Sequence, residues 1–276
     1  SFPTRRSSDL QANHIQKSYG DRLILDIDRL SIYDGERIAL IGENGAGKST
    51  FLAILAGELE PDTGTVRRCG SCAIIHQSGE TRENGTARLA SEFRAPEHRT
   101  GLSGGELTRR RIARAMSADA ALLLADEPTT ALDVTIQAQV LDLINELKEK
   151  FQTSMILITH DLGVIAQTCE SVAVIYAGSI VESGKREDIF DHPTHPYTIG
   201  LFESLPNMTA DGEKLKPIAG MPPDPTNLPK GCAFAPRCPY ATERCHNQKP
   251  ETKELSPGHR CACFEKTVPG TLKGGA

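Results

Sequence analysis

A three-layer α/β fold around a mainly parallel sheet is what this 276-residue sequence predicts. Short apolar runs, at residues 37–41, 121–125 and 155–158, alternate with stretches of helical pattern. Strands covered on both faces read as continuous apolar runs, and parallel neighbours need crossover helices between them. A glycine-rich loop directly follows the first of these runs and opens a helix, and the second run ends on two carboxylates.

Taken in order, residues 23–25 and 30–32 read as strands, with Asp34-Gly35-Glu36 as a turn before the buried strand 37–41. These early strands and those within 57–78, split by Pro61-Asp62-Thr63-Gly64, predict a small antiparallel β region. The glycine-rich loop leads into a helix over 50–56. Residues 79–101 are polar and weakly patterned, and 106–117 is helical with Ser103 near its N-cap. A helix over 134–150 carries Val140, Leu141, Ile144 and Leu147 on one face. Residues 172–176 and 179–182 form a hairpin about Ala177-Gly178. From residue 191 proline becomes frequent, and 206–229 reads as linker. The expected division is a tail at 1–10, a nucleotide-binding domain at 11–190 and a Pro- and Cys-rich extension at 191–276. Residues 1–10 resemble one reading frame of a sequencing-adapter oligonucleotide; a natural tail is the alternative.

Composition narrows the function classes. No apolar run approaches the roughly 20 residues that span a bilayer, so membrane work would need another chain. A net charge of −5 argues against a general nucleic-acid coat. The basic run Arg109-Arg110-Arg111 with Arg114 reads as a solvated helix face, with a nucleic-acid contact as the other reading.

Gly42-Glu43-Asn44-Gly45-Ala46-Gly47-Lys48-Ser49 fits the phosphate-loop pattern. Glycines let the backbone wrap a phosphate chain with N–H groups turned inward, and the helix that starts there favours an anion. Lys48 is the candidate to reach the β- and γ-phosphates, and the Ser49 hydroxyl to ligate Mg²⁺. Gly42, Asn44, Gly45, Gly47 and Thr50 complete the expected ATP contacts. In Leu122-Leu123-Leu124-Ala125-Asp126-Glu127 an apolar strand delivers Asp126 to hold Mg²⁺ and Glu127 to polarise water.

Leu102-Ser103-Gly104-Gly105-Glu106 before a helix is the third element. Together the three motifs resemble the ATP-binding-cassette (ABC) ATPases, a P-loop NTPase fold. The resemblance implies ATP and Mg²⁺ as cofactors. It implies that Ser103, Gly104, Gly105 and Glu106 bind the γ-phosphate of ATP held by a second ABC ATPase subunit, with homo- and heterodimer both open. By the same resemblance Tyr19 stacks on adenine, Gln77 contacts Mg²⁺ and water, Asp133 in Ala131-Leu132-Asp133 crosses to the partner, and His160 senses the γ-phosphate and orients the water.

Two subfamilies are resembled. Residues 129–263 look like the ATP-binding subunits of dipeptide, oligopeptide and nickel importers, through Thr-Thr-Ala-Leu-Asp-Val-Thr-Ile-Gln-Ala-Gln, His192-Pro193-Thr194-His195-Pro196-Tyr197-Thr198 and Gly231-Cys232-Ala233-Phe234-Ala235-Pro236-Arg237-Cys238-Pro239. Residues 11–125 look like ABC-F proteins, soluble ATPases that act on ribosomes, and the stretch 77–102 is short for an importer's helical subdomain. The expectation is a chimera joined near 125–131; a divergent natural importer subunit is the alternative. The importer resemblance implies an ATPase at the cytoplasmic face of the membrane, with transmembrane permeases as partners and a solute-binding protein beyond them. The ABC-F alternative implies a ribosome.

Five of the eight cysteines, Cys232, Cys238, Cys245, Cys261 and Cys263, crowd one stretch. Nucleotide motifs imply cytosol, where disulfides are rare, so a metal site is the better reading. Cys232, Cys238, Cys245 and Cys263 align with a cysteine pattern of the peptide importers, which implies a [4Fe–4S] cluster. Four thiolates suit zinc too, and reduced structural cysteines remain the plain alternative.

Overall fold

The computed structural model describes residues 8–75, 81–84, 120–128, 137, 138, 142, 153–204 and 216–264. Its strands are β1 (Ser8–Tyr19), β2 (Arg22–Tyr33), β3 (Arg37–Ile41), β4 (Thr63–Arg68), β5 (Cys72–Ile75), β6 (Thr81–Asn84), β7 (Leu122–Asp126), β8 (Ser154–Ile158), β9 (Ser171–Tyr176), β10 (Ser179–Lys185), β11 (Lys253–Ser256) and β12 (His259–Cys261). Its helices are α1 (Lys48–Ala56), α2 (Leu162–Thr168), α3 (Arg186–Asp191), α4 (Pro196–Glu203) and α5 (Glu243–Asn247).

Among these residues the main sheet runs β11-β12-β10-β9-β3-β8-β7-β5-β6. Its centre, β9-β3-β8-β7-β5, is parallel, and both edges are antiparallel. Every residue of β3, β7 and β8 is buried. Alternation decides which face each residue serves. Ile38, Leu40, Leu122, Leu124, Ile156 and Ile158 join one core cluster with α1 and the small sheet β2-β1-β4. Ala39, Ile41, Leu123, Ala125, Met155 and Leu157 join the other, with α2, α4 and the C-terminal region. Each buried Leu or Ile contributes about 1.5–3 kcal/mol, so the predicted three layers have a core on each side of the sheet.

The structure departs from the sequence reading in three places. The tail expected at 1–10 is shortened, because β1 begins at Ser8: Leu10 is buried, continuing the inward alternation of Ala12, and Asp9 accepts a 2.5 Å hydrogen bond from Ser154 Oγ. The separate strands at 23–25 and 30–32 are one strand, since Asp26, Asp28 and Arg29 between them lie off the buried positions of a hairpin paired with β1 along its length. The unpatterned stretch 79–101 contains β6, held by antiparallel pairing to β5 rather than by its own composition.

Past residue 190 the extension stays joined to the sheet. Its strand β12 pairs with β10 through Glu182↔Cys261 and Ser183↔Arg260. Tyr197, Phe202 and Phe234 share one core cluster with Val174 and Tyr176. Proline-rich composition marked chain that skirts the surface, but its few aromatics are anchors. The predicted shortened helical insert and the helix over 106–117 lie outside the described residues, and only positions 137, 138 and 142 of the 134–150 helix, all helical, lie within them.

Candidate functional site

The phosphate loop is held from behind by its neighbours. β3 ends at Ile41 and α1 starts at Lys48, so the loop turns within six residues. At Gly42 a Cβ would stand 2.2 Å from the Ile175 carbonyl oxygen, so β9 admits only glycine there. Gly47 takes φ 97° at the helix start, a left-handed conformation that glycine reaches without a steric penalty. No side chain caps α1 at Gly47, which turns its first N–H groups toward the loop as an anion site.

Lys48 is buried, and its Nζ donates to Gly42 O at 2.8 Å and Glu43 O at 3.0 Å. Burial lowers its pKa, against the opposing pull of Glu127, Asp126 and Glu43. Those carboxylates arrive from the sheet. β7 lies parallel to β8, and β8 to β3, so their carboxyl ends open beside the loop. Asp126 is buried at the end of β7. Glu127 follows at φ 46°, an uncommon left-handed position for a residue with a side chain, pinned by its N–H to Ile158 O at 2.9 Å. Such outliers cluster at functional sites. His160, just past β8, places Nε2 2.8 Å from Glu127 Oε1.

Thus Lys48, Asp126, Glu127 and His160 come together. Asn44, Gly45 and Ser49 are exposed and Thr50 is half-buried. Tyr19 is exposed at the end of β1, with Lys17 Nζ 5.9 Å from its ring centre. Gln77, Ser103, Gly104, Gly105, Glu106 and Asp133 lie outside the described residues.

Other partners of the loop went unread in the sequence. Tyr197, at the start of α4, accepts a 2.8 Å hydrogen bond from the Glu43 N–H. Arg237 Nη1 donates to both Glu43 carboxylate oxygens, at 3.1 and 3.0 Å, and to Tyr176 Oη at 3.3 Å. Both residues sit inside the importer-like motifs, but nothing local announces a contact that spans 154 or 194 residues. Asp161, which caps α2 by accepting from the N–H groups of Gly163 and Val164, also accepts from Gln137 Nε2 at 2.7 Å.

Cys232, Cys238, Cys245 and Cys263 line one small cavity with His195 and Phe234. Burial pushes the Cys238 thiol to about 11 and raises Cys232 as well. Among the described residues no three His, Cys, Asp or Glu side chains converge closely enough to hold a single metal ion. The predicted ligand set therefore shares a cavity without forming a compact one-ion site. Cys261 lies outside that lining.

Residues 25–84 match the ABC transporter family, and residues 181–245 match the oligopeptide/dipeptide transporter C-terminal region. The oligopeptide transport ATP-binding protein OppD of Salmonella typhimurium is 47% identical over 187 residues, 65% of this chain and 56% of that protein. The corresponding protein AppD of Bacillus subtilis is 48% identical over 180 residues, 65% of this chain and 54% of that protein. The chain thus spans about half the length of these curated relatives. Neither is an ABC-F protein, and a match over 65% of the chain is more than residues 129–276 can supply, so the importer likeness reaches into the first half. Among solved structures, a nucleotide-free ATP-binding cassette from an ABC transporter aligns with TM-score 0.57 at 19% identity, over 71% of this chain and 99% of that one. The protein cbiO1 of Clostridium perfringens, part of the ABC transporter complex cbiONQ, aligns with TM-score 0.56 at 22% identity, over 67% of this chain and 91% of that one. Those two likenesses concern the fold alone. The motifs and the two matched regions thus lie in one folded unit, similar in its first part to the ABC transporter family and in its last part to the C-terminal region of the oligopeptide/dipeptide transporters.

Proposed function

We propose that this chain is the ATP-binding and ATP-hydrolysing subunit of an importer for peptides, or for related small solutes such as nickel. It would work at the cytoplasmic face of the membrane with a second ATPase subunit and with permeases fed by a solute-binding protein. The observation that carries the reading is the Lys48, Asp126, Glu127 and His160 group at the carboxyl ends of the central parallel strands, in a chain whose residues 181–245 match the oligopeptide/dipeptide transporter region. No helix among the described residues is long and apolar enough to cross a membrane, so a permease must be another chain or lie elsewhere.

The chemistry is phosphoryl transfer to water. Mg²⁺, when held by Ser49, Asp126 and Gln77, would supply charge neutralisation at the β- and γ-phosphates. Lys48 adds a positive charge in a buried setting, where it is least screened. Glu127 accepts the proton of the attacking water. His160, 2.8 Å from Glu127, orients that carboxylate and the water beside it. Ser103, Gly104, Gly105 and Glu106 of one subunit, with Asp133, would close on the nucleotide of the other, so a lone subunit hydrolyses ATP poorly. Tyr19, exposed at the end of β1, would stack on adenine.

Cys232, Cys238, Cys245 and Cys263 would hold a [4Fe–4S] cluster, a reading supported by the four thiols lining one cavity. Anaerobic purification with iron, sulfide and zinc analysis tests this: iron and sulfide in equal amounts support the cluster, and a metal-free or zinc-only chain rejects it.

The central reading is tested by capture. The Glu127→Gln chain, loaded with MgATP to hold the closed state, should retain candidate peptide-importer permeases. Retention of ribosomes and not permeases would overturn the importer reading.

A further inference from the structure

The phosphate loop of this chain is braced by residues that come from its C-terminal extension. Glu43 is the second residue of the loop, and two of its groups are engaged from there. Its backbone N–H donates to Tyr197 Oη, and its carboxylate takes Arg237 Nη1 on both oxygens. Arg237 is well placed to hold that position. Its side chain is 6% exposed and that of Glu43 is 24% exposed, so water screens the pair weakly. Its Nε donates to Ala219 O at 3.1 Å, which fixes the guanidinium from the far side. The guanidinium carbon also lies 5.9 Å from the ring centres of both Tyr176 and Phe234.

Tyr197 is fixed as firmly. Its ring centre is 4.4 Å from that of Tyr176 and 5.5 Å from that of Phe234. Its backbone N–H donates to His195 Nδ1 at 3.0 Å, and the His195 N–H donates to buried Glu182 at 2.9 Å. Glu182 lies on β10, opposite Cys261. Two chains of contact therefore run from the cysteine region to the nucleotide loop: one through Arg237, the neighbour of Cys238, and one through Glu182, His195 and Tyr197. Lys48 Nζ donates to the Glu43 carbonyl on the other side of the same residue. Where Glu43 sits therefore bears on where the loop carbonyls, and the lysine they receive, are held.

We infer that Arg237 and Tyr197 are positioning residues for the nucleotide loop, so that nucleotide affinity depends on how the C-terminal extension is packed. This rests on the nucleotide-binding reading above. Preorganised donors bind tighter than donors that must be ordered on binding. Coupling of this kind is reciprocal and commonly changes affinity by about fivefold or more.

The test is binding of a fluorescent ATP analogue with Mg²⁺ to the full chain, for Tyr197→Phe, Arg237→Gln, Glu43→Gln and the Glu43→Gln/Arg237→Gln pair, with Lys48→Ala alongside. Tyr197→Phe and Arg237→Gln should each weaken binding by about fivefold or more. The double variant should bind like the weaker single one, because both changes break the same contact. Tyr197→Phe removes one hydroxyl from a ring that stays packed, so it decides the matter even if Arg237→Gln unfolds. A purely structural brace would lower the melting temperature and leave affinity alone. Wild-type affinity in Tyr197→Phe and in any folded Arg237→Gln, or additive losses in the pair, overturns the inference. Unchanged binding in Lys48→Ala would instead overturn the nucleotide-site reading beneath it.

Discussion

Two glycines of one loop, Gly42 and Gly45, both take a φ that side chains disfavour, 155° and 79°, but only Gly42 also faces a steric wall. Gly42→Ala would set its Cβ 2.2 Å from Ile175 O and 3.0 Å from Ile175 Cγ2. Real Cβ atoms essentially never come under 3.0 Å, so something must move by about 0.8 Å. The obstacle is backbone of β9, which pairs with β3 through Ile41↔Val174, next to the clash. Relief therefore costs ladder geometry as well as packing. Overpacking costs about 1–3 kcal/mol, and one compromised ladder hydrogen bond adds about 1 kcal/mol. The expected loss is about 3 kcal/mol. Gly45→Ala meets nothing within 4 Å, so only its φ of 79° is penalised, by about 1–2 kcal/mol. Urea unfolding of the two variants, compared at equal slope, measures the difference. If Gly42→Ala is no less stable than Gly45→Ala, β9 does not close the back of the loop as described.

Three further outcomes follow from the same geometry. Lys48→Ala should weaken MgATP binding by about tenfold or more, the loss of charge-assisted contacts worth about 1.5–3 kcal/mol, and titration with labelled nucleotide reads it. Glu127→Gln should keep nucleotide affinity while hydrolysis in the assembled transporter falls by about 10²-fold or more, seen as phosphate release against binding. The third concerns pH: the 2.8 Å contact with buried Glu182 raises the His259 pKa from 6.5, with Asp188 assisting and burial opposing. A raised folded pKa adds stability that is complete below the unfolded value and disappears as pH rises through the folded one. His259→Ala should therefore destabilise more at about pH 6 than at about pH 9. His195 slopes the other way. Burial pushes it down to about 4 despite Glu182, so its share is lost as pH falls from 6.5 toward that value. Equal loss across pH in His259→Ala would refute the ion-pair assignment.

The chemistry-bearing group was legible in sequence because it is written in short, contiguous motifs. Gly42 to Lys48 and Asp126-Glu127 each declare a strand end and a loop, and the parallel sheet does the rest. The parallel strands were legible because full burial leaves an uninterrupted apolar run, as in Leu122-Leu123-Leu124. What was not legible depends on pairing across long separations. β6 has no apolar pattern of its own and exists by pairing with β5. The β2 hairpin strand was divided because Asp26, Asp28 and Arg29 look like a break until β1 is placed beside them. The contacts of Tyr197 and Arg237 with Glu43 depend on the extension folding back across the sheet, which a proline-rich composition argues against when read alone.

The strand order also bears on whether the chain is one natural sequence or two joined near residues 125–131. In β9-β3-β8-β7-β5, strands from before and after that point interleave, so neither half holds a sheet centre alone. The site is divided too: Lys48 comes from ahead of the join and Asp126 from within it, while His160, Tyr197 and Arg237 come from behind it. Backbone ladders are indifferent to side chains, and any two ABC-type halves could share them. The specific contacts are not indifferent, and here they cross the join in number: Ser154 to Asp9, Lys249 to Asp26, Arg237 to Glu43 and Ser171 to Glu36. With the importer likeness also reaching ahead of residue 129, these contacts favour halves that evolved together over halves joined by chance. Amplification from source DNA across residues 120–140 separates the two: a continuous natural product rejects the hybrid, and two unlinked fragments reject the shared history that the cross-join contacts suggest.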